Sequence, residues 1–193
     1  MNMKKIIAKA LLVASLLTVA APAWAAEPET AQDKGVQAYK VQLHDTLDRE
    51  GFIKAYNQAN PEYPMGKPSE PKAAGNYFTT VSPIGDKEAV IINANGEGRL
   101  SNVILMHKGK ILEEELGQLY KVYAGIINAL GYQAVDNHDV KYAHSFQELD
   151  LTSTEAIATR FTREDNERIY TFYKSYNPKT DVCMILVEAV IEK

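Results

Sequence analysis

Apolar residues recur at three- and four-residue intervals in the segment 112–131, and both ends of that segment carry helix signals. These residues are Leu112, Leu116, Leu119, Tyr120, Tyr123, Ile126, Ile127 and Leu130. The spacing is typical of a helix with one buried face. Three glutamates at 113–115 complement the helix dipole in the first turn, and Gly131 suits a left-handed cap. The pattern therefore predicts a core helix over 112–131.

Two glycines inside this helix need an explanation. Gly117 and Gly125 each weaken a helix by about 1 kcal/mol relative to alanine. We therefore expect them where the helix comes close to another helix or to a sheet.

A less regular helical pattern precedes this segment, at residues 36–60. Its apolar positions before Gly51 lie on one helical face, and those after it lie on another. We expect one helix that bends at Gly51 or two short helices that meet there. Pro61 cannot continue the pattern, and the proline- and glycine-rich stretch 61–75 indicates an extended connection.

Six short runs rich in β-branched and aromatic residues predict strands, in two groups of three. They are 77–81, 88–94 and 100–107, followed by 156–162, 169–176 and 182–191. The breaks within each group carry turn-forming residues such as Gly, Asn and Asp, so each group is typical of an antiparallel meander. The intervening stretch 132–154 fits a strand and a short helix equally well, and its structure stays open.

Two helices alternating with two meanders predict an α+β fold. The expected architecture is two helices packed on one face of a mainly antiparallel sheet of about six strands. At a fixed offset the second meander aligns with the first, with residues 103–105 meeting 185–187. We therefore predict a duplicated unit of one helix and three strands, with halves at 36–110 and 111–193. Few residues match, and any two amphipathic meanders align comparably, so common ancestry does not follow.

The N-terminus has the features of a secretory signal peptide. Positive residues precede an apolar run at 10–21, and Ala23 and Ala25 occupy the small-residue positions before a cleavage site. The run is too short to span a bilayer. We predict cleavage after Ala25, a flexible new N-terminus at 26–35, and a single soluble α+β domain at 36–193. The protein is then periplasmic or secreted.

Charge and cysteine content narrow the classes of function. The chain has 21 Lys and Arg against 25 Asp and Glu, a formal charge of −4. Without clustered basic residues this balance argues against a nucleic-acid partner. The single cysteine, Cys183, excludes an intramolecular disulfide. Its apolar surroundings predict a small buried side chain rather than a nucleophile.

Motifs for catalysis or cofactor binding are missing from the sequence, and no cofactor is predicted. It contains no G-x-S-x-G, no H-E-x-x-H and no glycine-rich phosphate loop ahead of a helix. Metal-ligand residue types are dense only at Asp136, His138, Asp139 and His144. Their spacing is not diagnostic, and an exposed polar loop explains them more simply than a metal site.

Aromatic residues on the fifth predicted strand offer a candidate binding surface. Tyr170, Phe172 and Tyr176 share one face of that strand. On an open sheet face they would contact a protein, a peptide or another envelope component, although β-propensity alone also explains them. The predicted function is an exported, non-enzymatic binding protein that uses an open sheet face or the groove between the halves. The alternative is a small periplasmic hydrolase with polar residues from 136–148.

Overall fold

The computed structural model describes residues 38–131, 150–162 and 169–192. Within these ranges the two helices are α1 (Arg49–Ala59) and α2 (Leu116–Ala129), the latter preceded by a 3-10 turn (Glu113–Glu115). The strands are β1 (Ala38–Val41), β2 (Lys72–Ala74), β3 (Tyr77–Pro83), β4 (Glu88–Ala94), β5 (Leu100–Lys108), β6 (Ile157–Thr162), β7 (Ile169–Asn177) and β8 (Val182–Glu192). Neither helix is both long and apolar enough to cross a membrane.

All eight strands belong to one antiparallel sheet. Its order is β2-β3-β4-β5-β8-β7-β6, and β1 pairs with β8 outside this path. The predicted α+β fold, with two helices on a mainly antiparallel sheet, is confirmed. The six predicted strands are β3 to β8, and β1 and β2 are two short additions.

The helix predicted from residue 36 onward is wrong for residues 38–47, because these residues form β1 and a loop. Residues 38–41 pair with the end of β8, where Tyr39 lies opposite Ile191. The helix α1 begins only after Asp48, whose side chain accepts a hydrogen bond from Gly51 N at 2.7 Å. Gly51 therefore lies in the first turn of α1 and is not a bend between two helices. The connection 61–75 is largely extended, and its last residues form β2.

The core helix predicted over 112–131 is present as the 3-10 turn followed by α2. The side chain of Glu115 accepts a hydrogen bond from Leu112 N at 3.0 Å, which holds the start of the turn. Gly131 has a φ of 82°, the left-handed conformation expected of it. Seven residues of α2 are buried against α1 and the sheet. Packing therefore stabilises this helix.

Gly125 lies where α2 contacts the end of α1. A Cβ added there would lie 2.8 Å from Asn60 Nδ2 and 2.9 Å from the ring of Tyr56. The close approach predicted for this glycine is confirmed. For Gly117 the described residues show no such approach, since none of their atoms would lie within 4 Å of a Cβ at that position.

Both faces of the sheet centre are apolar. Because side chains alternate along a strand, Leu105 and Ile185 face the helices, whereas Ile104 and Leu186 face the other way. All four are buried. The second cluster draws its members from strands, among them Ile91 and Met106. Two apolar faces explain why the strands of the sheet centre read as nearly continuous hydrophobic runs.

The third strands of the two meanders, β5 and β8, pair at the centre of the sheet. Ile104 lies opposite Leu186, and its neighbours Val103 and Leu105 lie opposite Val187 and Ile185. These are the same segments that align in sequence. Two helix-plus-meander units related by a rotation about the 104–186 pair would produce this register. The duplication itself stays a prediction.

Candidate functional site

The three aromatic residues expected on an open face lie on the helix-facing side of the sheet. Tyr170 and Phe172 are fully buried, and the Phe172 ring makes an edge-to-face contact with Tyr123 of α2 at 5.6 Å between centroids. Tyr176 is half-buried, and its hydroxyl lies 2.9 Å from an Asp181 carboxylate oxygen. This strand face meets the helices, so the expected aromatic surface does not form there.

The metal-ligand candidates Asp136, His138, Asp139 and His144 lie outside the described residues, as does the whole segment 136–148 proposed for a hydrolase. Among residues 38–131, 150–162 and 169–192, no three His, Cys, Asp or Glu side chains converge to hold a metal ion.

A buried polar cluster joins β4 and β5 to the start of α2. His107 Nδ1 lies 3.0 Å from Glu88 Oε1, and its Nε2 lies 3.4 Å from Glu115 Oε2. Gln118 donates to the second oxygen of Glu88 at 3.2 Å. Lys87 pairs with Glu115 at the outer edge. Glu88 is held by His107 and Gln118, and Glu115 is held by Lys87, so this cluster ties the 3-10 turn and the start of α2 to the sheet.

The thiol of Cys183 lies beside this cluster but is not activated by it. Cys183 is opposite His107 in the pairing of β5 with β8, and it is 1% exposed. Burial raises the pKa of Cys183 to about 11, although the nearby charge of Lys174 opposes this shift. A thiol of this kind is a poor nucleophile at neutral pH. The predicted role as a small buried residue is confirmed.

Lys174 is a buried cation with a structural task. Its ammonium donates to the carbonyl oxygens of Asp150, at 3.1 Å, and of Ser153. Burial lowers the pKa of Lys174, with the carboxylate of Asp150 acting in the opposite direction. These contacts hold residues 150–155, which precede β6, against the helix-facing side of β7.

A groove of about 490 Å³ opens at the other end of the sheet, on the face away from the helices. Its polar lining comes from β1, the start of β3, the β4–β5 turn, β5 and β8. The side chains are Lys40, Gln42, Tyr77, Asn95, Ser101, Asn102 and Glu188. The groove lies across the pairing of β5 with β8, and thus between the two proposed halves.

A β-bulge shapes the floor of this groove. Asn93 pairs with Asn102 and Ala94 pairs with Leu100, so Ser101 is the extra residue of β5. A bulge locally increases strand twist and redirects side chains. Asn95 supports the preceding turn, because its side-chain oxygen accepts backbone N–H groups of the turn, the nearest at 2.9 Å. The bulge therefore brings Ser101 into the lining.

One ion pair lies in the groove. Lys40 Nζ is 3.0 Å from Glu188 Oε2, with the two side chains 68% and 10% exposed. Burial alone would lower the pKa of Lys40, but the hydrogen bond and charge of Glu188 outweigh it and raise the pKa above its usual value. The two charges cancel, so this pair adds no net charge to the groove.

A row of hydrogen-bonded side chains runs across neighbouring strands into the groove. Thr79 Oγ1 donates to Asn93 Oδ1, and Asn93 Nδ2 donates to Asn102 Oδ1. The donor–acceptor distance is 2.7 Å in both hydrogen bonds. Asn102 then faces Glu188 in the β5–β8 register. Among the described residues, the side-chain nitrogen of Asn102 has no hydrogen-bond partner. The side chains of Gln42 and Ser101 have none there either.

The groove presents hydrogen-bonding side chains from several strands. Its described lining offers amides, hydroxyls, a tyrosine ring and one ion pair, but neither a histidine nor a cysteine. Sequence reasoning missed it because its residues come from distant segments. One signal was available, since Asn93 and Asn102 interrupt otherwise apolar strands.

A comparison with models of protein families gave no match to the chain. Comparisons with curated proteins and with solved structures gave none either.

Proposed function

We propose that this protein is an exported, non-enzymatic binding protein whose ligand is a small polar molecule held in the groove between β5 and β8. The observation that carries the proposal is the groove itself. Its volume of about 490 Å³ falls in the range of roughly 300–1,000 Å³ typical of small-molecule sites. Export rests on the signal peptide predicted from the sequence.

The position of the groove supports this function. Most of its lining belongs to strands of the sheet, which hold side chains more rigidly than loops do. The lining groups Gln42, Ser101 and Asn102 keep hydrogen-bonding capacity that the described residues do not use. Groups that are already in position lose little conformational entropy on binding, which favours affinity.

The hydrolase alternative depends on residues 136–148, and the described residues offer no observation in its favour. The observations on the described residues favour the groove. It is also consistent with the sequence-based expectation of a binding site between the two halves.

Thermal unfolding of the purified protein tests the proposal. The protein is heated with a panel of neutral sugars, amino acids, dipeptides and nucleosides. A ligand present at 100 times its dissociation constant adds about 2.7 kcal/mol to the stability of the folded state. We expect at least one compound to raise the Tm of the wild type.

Two variants locate the binding event. Asn102→Leu removes the hydrogen-bonding groups at the centre of the groove and should abolish the rise in Tm. Glu50→Gln alters an exposed carboxylate on α1 and should leave it intact. A panel without any stabilising compound would contradict the proposal, as would a rise in Tm that Asn102→Leu retains.

A further inference from the structure

We propose that the groove takes a neutral carbohydrate, with one sugar hydroxyl bound between Asn102 and Glu188. This inference rests on the proposed function and specifies its ligand class.

The row of hydrogen bonds has a direction. Thr79 donates to Asn93, and Asn93 donates to the side-chain oxygen of Asn102. Because that oxygen is the acceptor, the amide NH₂ of Asn102 is the group that remains for a ligand. Asn102 lies on β5 directly opposite Glu188 on β8, and both side chains point away from the helices. The row therefore presents a donor on the β5 side of the groove.

Glu188 presents an acceptor on the β8 side. Its Oε2 is engaged by Lys40 at 3.0 Å, and its Oε1 accepts no hydrogen bond from the described residues. Asn102 and Glu188 form no direct hydrogen bond with each other, although they are partners in the strand register. A donor and an acceptor thus face each other across the groove.

The chemistry of the bridging atom follows from these two groups. It must accept a hydrogen bond from an amide and donate one to a carboxylate. A hydroxyl oxygen does both. An ammonium group has no lone pair for Asn102, and a carboxylate has no proton for Glu188 and would be repelled by its charge. A peptide group carries its donor and its acceptor on different atoms.

The rest of the lining suits further hydroxyl groups. Ser101 and Gln42 each offer both donors and acceptors. Tyr77 is half-buried at the rim, where its ring provides an apolar contact surface with a polar tip. The cancelling charges of Lys40 and Glu188 favour an uncharged ligand. A sugar ring combines adjacent hydroxyls with an apolar face and no charge.

Isothermal titration calorimetry with defined probes tests the ligand class. The neutral probes are glucose, galactose, N-acetylglucosamine and cellobiose. Glucuronate, glucosamine and glycylglycine represent a carboxylate, an ammonium group and a peptide group. We expect one-to-one binding of at least one neutral sugar, and at least tenfold weaker binding of its charged counterpart.

The variant Asn102→Asp addresses the bridging contact itself. It keeps a side-chain oxygen that accepts from Asn93 and removes the donor, and it also places a second negative charge opposite Glu188. Affinity for the sugar should fall about tenfold or more, as expected for a lost ligand hydrogen bond. Glu50→Gln, on the opposite side of the sheet, should bind like the wild type.

Deoxy derivatives of the bound sugar separate a direct contact from an indirect effect. The derivative that lacks the bridging hydroxyl should bind weakly to the wild type and lose nothing further in Asn102→Asp, because both changes remove the same interaction. Independent, additive losses for every deoxy derivative would overturn the assignment of the bridging hydroxyl.

The remaining outcomes distinguish this inference from the proposed function. Binding of glycylglycine or a charged probe without any sugar would overturn the carbohydrate class and leave the groove as a binding site. Sugar binding that Asn102→Asp does not weaken would overturn the role of Asn102. Failure of every probe, together with failure of the thermal panel, would overturn both proposals.

Discussion

Replacing Gly125 with alanine places a methyl group in the contact between α1 and α2. The new Cβ would lie 2.8 Å from Asn60 Nδ2 and 2.9 Å from Asn60 Cβ. The Asn60 side chain cannot simply move aside, because its amide donates to the Lys121 carbonyl and to the Tyr56 hydroxyl. The donor–acceptor distance is 3.1 Å in both hydrogen bonds. Either the helices separate or these hydrogen bonds break.

The expected loss of stability follows from three contributions. Overpacking in a close-packed core costs roughly 1–3 kcal/mol, and a lost hydrogen bond costs about 1 kcal/mol. Alanine in place of glycine inside a helix stabilises the helix by about 1 kcal/mol and offsets part of this loss. Gly125→Ala should therefore lower the free energy of unfolding by about 1–3 kcal/mol. In a chain of this length, that corresponds to a fall in Tm of roughly 2–12 °C.

Gly117→Ala in the same helix is the matched control. Among the residues that the structure describes, a Cβ at this position would meet nothing within 4 Å. The expected effect is therefore the gain in helix propensity, up to about 1 kcal/mol. Urea unfolding followed by far-UV circular dichroism measures both variants, and equal m-values keep the comparison valid. A Gly125→Ala protein as stable as Gly117→Ala would refute the close contact between the helices.

Three further predictions concern export and the buried polar groups. N-terminal sequencing of protein from a periplasmic fraction should begin at Ala26, and recovery of an intact N-terminus would contradict cleavage after Ala25. The pKa of Cys183 rises from 9.0 to about 11 in the folded protein, so its contribution to stability is complete below pH 9.0 and is lost as pH rises through the folded value. Cys183→Ala should accordingly lose less stability than the wild type over that interval in pH-dependent urea unfolding, and equal slopes would refute this. His107→Leu leaves Glu88 without its imidazole partner and should lower the free energy of unfolding by about 1–3 kcal/mol. Adding Glu88→Met to the same chain should restore part of this loss. An unchanged midpoint of urea unfolding in His107→Leu would contradict the role of the cluster.

Most of the fold could be predicted from local pattern. The strands β3 to β8 have β-rich runs bounded by turn residues, and α2 has an apolar stripe with marks at both ends. The exceptions are β1 and β2. The short strand β2 lies within the proline- and glycine-rich stretch 61–75, whereas the apolar residues around β1 are spaced like those of a helix. The conformation of β1 is set by pairing with β8, which lies about 150 residues further along the chain. Local sequence carries no trace of such a distant partner.

The candidate site was harder to predict because it is defined by register. Asn102 faces Glu188 only because β5 and β8 pair with Ile104 opposite Leu186, and Lys40 reaches Glu188 only because β1 adds to β8. The aromatic residues Tyr170 and Phe172 were assigned to one face of their strand correctly. The alternation of side chains does not reveal which face of a strand meets the helices. In this protein the face that carries Tyr170 and Phe172 is the one that meets them.

The pairing of β5 with β8 also affects how the sheet can form while the chain is being synthesised. Of the described strands, β8 comes last in chain order, and it lies at the centre of the sheet with β5 on one side and β7 on the other. Until Val182–Glu192 has left the ribosome, or has crossed the membrane of an exporting cell, both neighbours have an unpaired edge. Exposed edges of this kind invite aggregation. The sheet therefore closes only when β8 arrives, and a chain truncated before Val182 would lack the strand that joins β5 to β7.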